Sequence, residues 1–149
     1  MIEQLRLILA ARDRRRLERG ERAAVLVPIV DDGGPLRLIL TRRTQAVGTH
    51  QGQVAFPGGY VEPGEEDPVR TALREAEEEV GLPPQAVEVL GLLDDFTTWN
   101  DAIAVTPVAG RIARLPELRP HLAEVARIFM IPLDDLRRPD RWESRLEER

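Results

Sequence analysis

The stretch Asp67-Pro68-Val69-Arg70-Thr71-Ala72-Leu73-Arg74-Glu75-Ala76-Glu77-Glu78-Glu79-Val80-Gly81 decides how this chain is read. Asp67 is a natural N-cap, and Pro68 fits the first helical position, where no amide donor is missed. Gly81 suits the C-terminal cap, and Pro83-Pro84 prevents the helix from continuing. Val69, Ala72, Leu73, Ala76 and Val80 recur at the helical period and form one apolar face. The spacing therefore predicts a helix over 67–81 anchored on a core.

Its polar side carries the chemistry. At the helical advance per residue, Glu75, Glu78 and Glu79 lie within an arc of about 100°, turned away from the apolar face. Carboxylates at this spacing repel by a few tenths of a kcal/mol per pair. On many proteins such a row is simply a solvated face. A hard divalent cation, which takes carboxylate oxygens together with substrate phosphates, would make the arrangement favourable.

Upstream, Ala23–Val30 is a short apolar run rich in β-branched residues, Asp31-Asp32-Gly33-Gly34-Pro35 is a turn, and Leu36–Arg43 resumes as a strand. The two strands are expected to pair as a hairpin. Downstream, Val87–Leu93 and Ile103–Val108 read as strands, the latter ending near Pro107. Val125–Ile131 reads as a further strand, and Leu133–Leu136 begins a short helix. The N-terminal residues 1–20 read as a helix closed by Gly20, with Arg12-Asp13-Arg14-Arg15-Arg16 on a solvated, mixed-charge face.

Composition narrows the function. The chain has 149 residues, 21 basic against 26 acidic, and no cysteine. One α+β domain with a mixed sheet over 1–149 is the simplest assembly. Without cysteine there is no disulfide, thiolate zinc site or cysteine nucleophile. A net charge of −5 argues against nucleic acid as partner. No run approaches the roughly 18 apolar residues of a membrane span, so the chain reads as soluble and cytoplasmic.

Phe56-Pro57-Gly58-Gly59, then Glu62-Pro63-Gly64-Glu65-Glu66, then Arg74-Glu75-Ala76-Glu77-Glu78-Glu79-Val80-Gly81-Leu82 closely resembles the Nudix box. The second half matches at every specified position. The first half carries one extra residue, so the loop glutamate is Glu65 counted from Gly59 and Glu66 counted from Arg74. The resemblance implies the Nudix α/β/α sandwich and hydrolysis of a nucleoside diphosphate linked to another moiety. It implies Mg²⁺ or Mn²⁺ held by Glu75, Glu78, Glu79 and the Gly59 carbonyl. Arg74 would brace the loop through Glu65 or Glu66, and Glu75 or Glu78 would orient or deprotonate the attacking water. Glu79 is expected to face solvent and metal.

Leu38-Ile39-Leu40-Thr41-Arg42-Arg43-Thr44 and His50-Gln51-Gly52-Gln53-Val54-Ala55-Phe56-Pro57-Gly58-Gly59 resemble the signature of the coenzyme A pyrophosphatase branch. That resemblance implies cleavage of coenzyme A or its derivatives to 3′,5′-ADP and a 4′-phosphopantetheine species. A broader hydrolase of ADP-ribose or other nucleoside diphosphate derivatives is the alternative within the enzyme class. A non-catalytic, nucleotide-sensing Nudix module is the alternative outside it.

Arg42 and Arg43 end a strand, where arginines commonly serve solubility. Beside an acidic metal site they become candidates for the substrate's phosphates. His50 is either structural or a substrate contact. Trp99, in a loop unlike the branch's usual one, either stacks on adenine or packs in a core. Glu124 is either a further acid at the site or a surface residue. Branch members usually continue past the equivalent of Trp142, so the segment 137–149 is expected to be incomplete or extended. An edge left open there points to a homodimer.

Overall fold

Two long strands, β1 (Glu21–Val30) and β7 (Ile103–Ile112), run parallel in unbroken register from Glu21 opposite Ile103 to Val30 opposite Ile112. The computed structural model describes residues 1–45, 52–98 and 101–141. On its other edge β1 meets two partners in turn. Ala23–Val25 pairs antiparallel with β4 (Gly58–Tyr60), and Ile29–Val30 pairs with β2 (Arg37–Arg43). The expected hairpin forms, but only its base is joined, and the strands fork where β4 takes over.

β2 also carries β3 (Val54–Ala55) and β8 (Val125–Pro132). β5 (Glu88–Leu92) and β6 (Phe96–Thr97) pair antiparallel with successive stretches of β7. β7 does not end at Pro107. Residues 106 and 107 fall between the stretches paired with β5 and β6, so a missing N–H breaks no pairing there. The Pro107 carbonyl accepts the Leu93 N–H at 2.9 Å.

Helices cover both faces of this mixed sheet, in agreement with the expected α+β sandwich. On one face α2 (Pro68–Val80) lays Ala72, Ala76 and Val80 on Ala24, Leu26, Val30, Val108 and Ile112, all buried. Its ends are set as the sequence indicates: the Asp67 carboxylate accepts the Val69 N–H at 2.9 Å, and Gly81 takes φ 72°. On the other face α1 (Ile2–Ala11) seats Leu9 among Ile29, Leu38, Leu90 and Ala109. β8 leads into α3 (Leu133–Leu136).

The first helix stops at Ala11, nine residues short of Gly20. Arg12–Arg19 instead runs as an irregular strap because its donors find acidic partners far along the chain. Arg12 pairs with Asp94, Arg14 with Asp95 at 2.7 Å, and Arg19 with Asp101 at 2.9 Å. The Leu17 N–H donates to Asp95 at 3.0 Å. No helix among the described residues is long and apolar enough to cross a membrane. His50, Trp99 and residues 142–149 lie outside the described residues.

Candidate active site

The fork between β1 and β2 opens a cavity of about 380 Å³, floored by Ala23 and Val25 of β1 and by Ile103 and Val105 of β7. Thr41 and Arg43 reach it from β2, and Glu79 reaches it from α2. Three larger hollows, about 640, 660 and 510 Å³, lie beside α1, beside Gly20–Arg22 and between the Glu62–Glu65 loop and α2, and are not lined by Glu75, Glu78 or Glu79.

Arg74 organises the acidic groups. Its Nε and Nη2 donate to the two Glu65 oxygens at 2.9 and 3.0 Å, and Nη2 also donates to the Tyr60 carbonyl at 3.0 Å. Nη1 reaches Glu75 at 3.0 Å and Glu78 at 3.3 Å. Glu65 further accepts the Thr71 hydroxyl at 3.0 Å and the Glu62 N–H at 2.8 Å. The Arg74 hydrogen bond holds its carboxyl down at about 2, against the upward push of burial. Glu66 is exposed, so the extra loop residue falls on the helix side of Glu65.

Glu79 corrects the expectation that it faces solvent: it is 7 % exposed, at the end of α2 where the helix meets β4. The Gly58 N–H donates to it at 3.4 Å. Burial first, then the charges of Glu75 and Glu124, push its carboxyl up to about 8, while Arg43 pulls the other way. Burial likewise raises Glu75, opposed by Arg74. Glu124, on an exposed turn, lines the cavity. That turn is tied to α2 by the His121 N–H, which donates to the Glu79 carbonyl at 2.9 Å.

Gly59 makes room for this cluster. A Cβ there would stand 2.5 Å from Glu75 Oε1, so any side chain would expel the carboxylate. Among the described residues, no three His, Asp or Glu side chains converge as a metal cluster, since Arg74 draws Glu75 and Glu78 toward itself. The donor set nevertheless suits a hard cation: Glu75 and Glu79, raised by burial first and then by neighbouring acidic charge, stand against the Gly58-Gly59 backbone.

The candidate arginines separate. Arg42 is exposed, whereas Arg43 lines the cavity with its Nε buried and without a hydrogen-bond partner among the described residues. Alternation along β2 sends consecutive side chains to opposite faces. Two cavity residues escape a reading by motif, Tyr60 and Phe96. Their signal is exposure, 58 % and 50 %, in a chain with six aromatic residues, and it appears only once the strands are paired.

The NUDIX domain family profile matches residues 20–148. An uncharacterized Nudix hydrolase NudL of Pectobacterium atrosepticum is 47 % identical over 113 residues, 76 % of this chain and 58 % of that protein. The peroxisomal coenzyme A diphosphatase NUDT7 of Mus musculus is 44 % identical over 111 residues, 74 % of this chain and 47 % of that protein. The chain thus spans roughly half to three fifths of the length of these two curated relatives. The crystal structure of a Nudix hydrolase from M. smegmatis, RenU, matches with a TM-score of 0.65 at 22 % identity, covering 81 % of this chain and 76 % of that one, a likeness of fold.

Proposed function

Because the chain belongs to the NUDIX domain family, we propose that it hydrolyses the diphosphate linkage of a nucleoside diphosphate derivative. The observation that carries this reading is Glu75 set against Gly59 and Glu79 against the neighbouring Gly58 N–H, with Glu78 on the same helix, beside a cavity that also receives Arg43. Glu75, Glu78, Glu79 and the Gly59 carbonyl are the groups that would hold Mg²⁺ or Mn²⁺. Such an ion, when bound, neutralises diphosphate oxygens and acidifies water at neutral pH.

The chain's own residues supply the rest. Arg43, half-buried with its Nε unpartnered, offers its guanidinium to a phosphate oxygen, a charge-assisted pairing that orients the substrate. Glu75 or Glu78 accepts the proton of the attacking water. Arg74, tied to Glu65 and to the Tyr60 carbonyl, keeps the helix and the glycine strand in fixed relation. The mostly apolar cavity admits an uncharged portion of the substrate.

A narrower reading, coenzyme A or a derivative as substrate, rests on the motif around Arg43 and on the mouse relative named as a coenzyme A diphosphatase. One experiment tests both. The protein is incubated with ADP-ribose and, separately, coenzyme A, each with Mg²⁺, Mn²⁺ or chelator, and products are separated by chromatography. Metal-dependent cleavage of either supports hydrolysis, and release of 3′,5′-ADP from coenzyme A alone supports the narrower substrate. No turnover on either with any metal would remove both.

A further inference from the structure

β6 forms one wall of the cavity with little of its own to hold it. Its two residues, Phe96 and Thr97, stand opposite Val105 and Ala104 of β7, and among the described strands it pairs with β7 alone. The register sets Phe96 in one row with Val105, Ala23 of β1 and Tyr60 of β4. Phe96 lines the cavity, and so does Thr98. A ladder of two residue pairs is too short to fix the position of such a wall by itself.

The support comes from Arg12–Arg19, which takes hold on both sides of β6. Before the strand, Arg12 pairs with Asp94, and the Arg15 N–H donates to the Asp94 carboxylate at 2.8 Å. The Asp95 N–H donates to the Arg15 carbonyl at 2.8 Å. Arg14 reaches the buried Asp95 carboxylate at 2.7 Å, which Arg22 at 2.8 Å and the Thr106 hydroxyl at 2.7 Å fasten to β1 and β7. After the strand, Arg19 grips Asp101 twice: Nη2 donates to its carboxylate at 2.9 Å and Nε to its carbonyl at 3.0 Å. Asp101 takes φ 59°, a left-handed conformation that costs a residue with a Cβ, and Arg19 holds it there. The Asp101 N–H donates to the Thr98 carbonyl at 2.8 Å, so the grip passes directly to a residue of the cavity wall.

The strap does not enter the cavity, since none of residues 12–19 lines it. Leu17 is its one apolar side chain, so its hold on the sheet is ionic and hydrogen-bonded. The α2 carboxylates have separate supports: Arg74 for Glu75 and Glu78, and the Gly58 N–H for Glu79. Loosening the strap therefore frees one wall of the cavity and leaves the acidic cluster in place.

We infer that Arg14 and Arg19 are positioning residues of this site: through Asp95 and Asp101 they hold Phe96 and Thr98 where a bound nucleotide meets them, and so set affinity without taking part in the chemistry. The assignment rests on the hydrolase reading for the ligand being a nucleotide. A wall that keeps its binding position for only a fraction of the time weakens affinity by that fraction.

The full chain with Mg²⁺ is titrated calorimetrically with adenosine 5′-diphosphate. The variants are Arg14→Ala, Arg19→Ala, the two combined, Arg19→Lys and Arg16→Ala. Arg16 belongs to the same strap but pairs with Glu18 inside it at 3.8 Å, so its removal controls for the loss of a positive charge. The double variant is expected to bind about tenfold more weakly, as for a wall in place about a tenth of the time, at unchanged stoichiometry. Each single alanine variant falls between it and the wild type. Arg19→Lys, which keeps the ion pair, and Arg16→Ala stay within about twofold of the wild type, the range of an exposed charge. A merely structural role would instead lower the stoichiometry, as misfolded protein drops out, and leave Kd unchanged. That result, a double variant that binds as the wild type does, Arg16→Ala as weak as the double variant, or no binding by the wild type would overturn the assignment. In a parallel assay with ADP-ribose, the double variant should raise KM and keep kcat. Absence of turnover there in the wild type would count against the hydrolase reading alone, leaving the affinity comparison intact.

Discussion

Arg74 holds Glu65 by both carboxylate oxygens, at 2.9 and 3.0 Å, and so fixes which glutamate of the loop belongs to the helix. The sequence offers two adjacent candidates because the loop is one residue longer than the family pattern. Glu65 has a nearly buried side chain that also caps the Glu62 N–H and the Thr71 hydroxyl, while Glu66 is exposed. Glu65→Gln is therefore expected to cost about 2 kcal/mol, since it strips the charge from a well-packed partner of a guanidinium. Glu66→Gln should stay within about 0.5 kcal/mol. Urea denaturation of the two variants checks the assignment, and equal losses would undo it.

Glu79→Gln should lower turnover by about a hundredfold or more, the scale of losing a group that stabilises the transition state, and leave the melting temperature within a few degrees. The near-isosteric amide fits the same buried space. With its carboxyl pushed up to about 8, Glu79 is largely protonated at neutral pH in the metal-free protein, so the amide resembles the resident group. Only a bound cation would distinguish the two. Steady-state rates at saturating Mg²⁺, beside a thermal melt, make the test, and unchanged turnover would remove Glu79 from the ligand set.

What the sequence made legible is what neighbouring residues decide. Asp67, Pro68 and Gly81 set the ends of α2, and the spacing of Ala72, Ala76 and Val80 sets its buried face, because capping and periodicity act within a turn or two. The strap is the contrary case. Arg12–Arg19 carries a mixed-charge helical pattern, yet its partners Asp94, Asp95 and Asp101 lie about eighty positions away and outcompete the local hydrogen bonds. The burial of Glu79 and the alignment of Tyr60 with Phe96 are equally non-local. They depend on where β4 meets α2 and on the register of four strands, which no window of sequence contains.

Arg43→Ala should raise the Michaelis constant for a diphosphate substrate about tenfold or more, as expected when a charge-assisted hydrogen bond to phosphate is removed. Arg42→Ala should change it by less than about twofold, since Arg42 is exposed and is not among the cavity-lining residues. Alternation along β2 makes this pair an internal control: the same charge is deleted one residue apart on opposite faces. Kinetics with coenzyme A and with ADP-ribose give the readout. A larger effect at Arg42 would mean that the substrate lies outside the cavity.

Acid should reveal the strap. Burial raises the Asp95 carboxyl, but the Leu17 N–H, the Thr106 hydroxyl, Arg22 and Arg14 together bring it down to about 2, against 3.8 ordinarily. A folded value below the unfolded one means that falling pH protonates the unfolded chain first. The contribution is complete above about pH 4 and is lost as pH drops toward 2, and it amounts to about 2 kcal/mol. Asp95→Asn should therefore be less stable than the wild type by about that amount at pH 7, with the gap narrowing as the pH approaches 2. Urea unfolding of both proteins at pH 7, 4 and 2.5 measures the gap directly. A gap that stays constant across that range would show that the Asp95 charge does not fasten the strap, and that packing alone holds Arg12–Arg19 against the sheet.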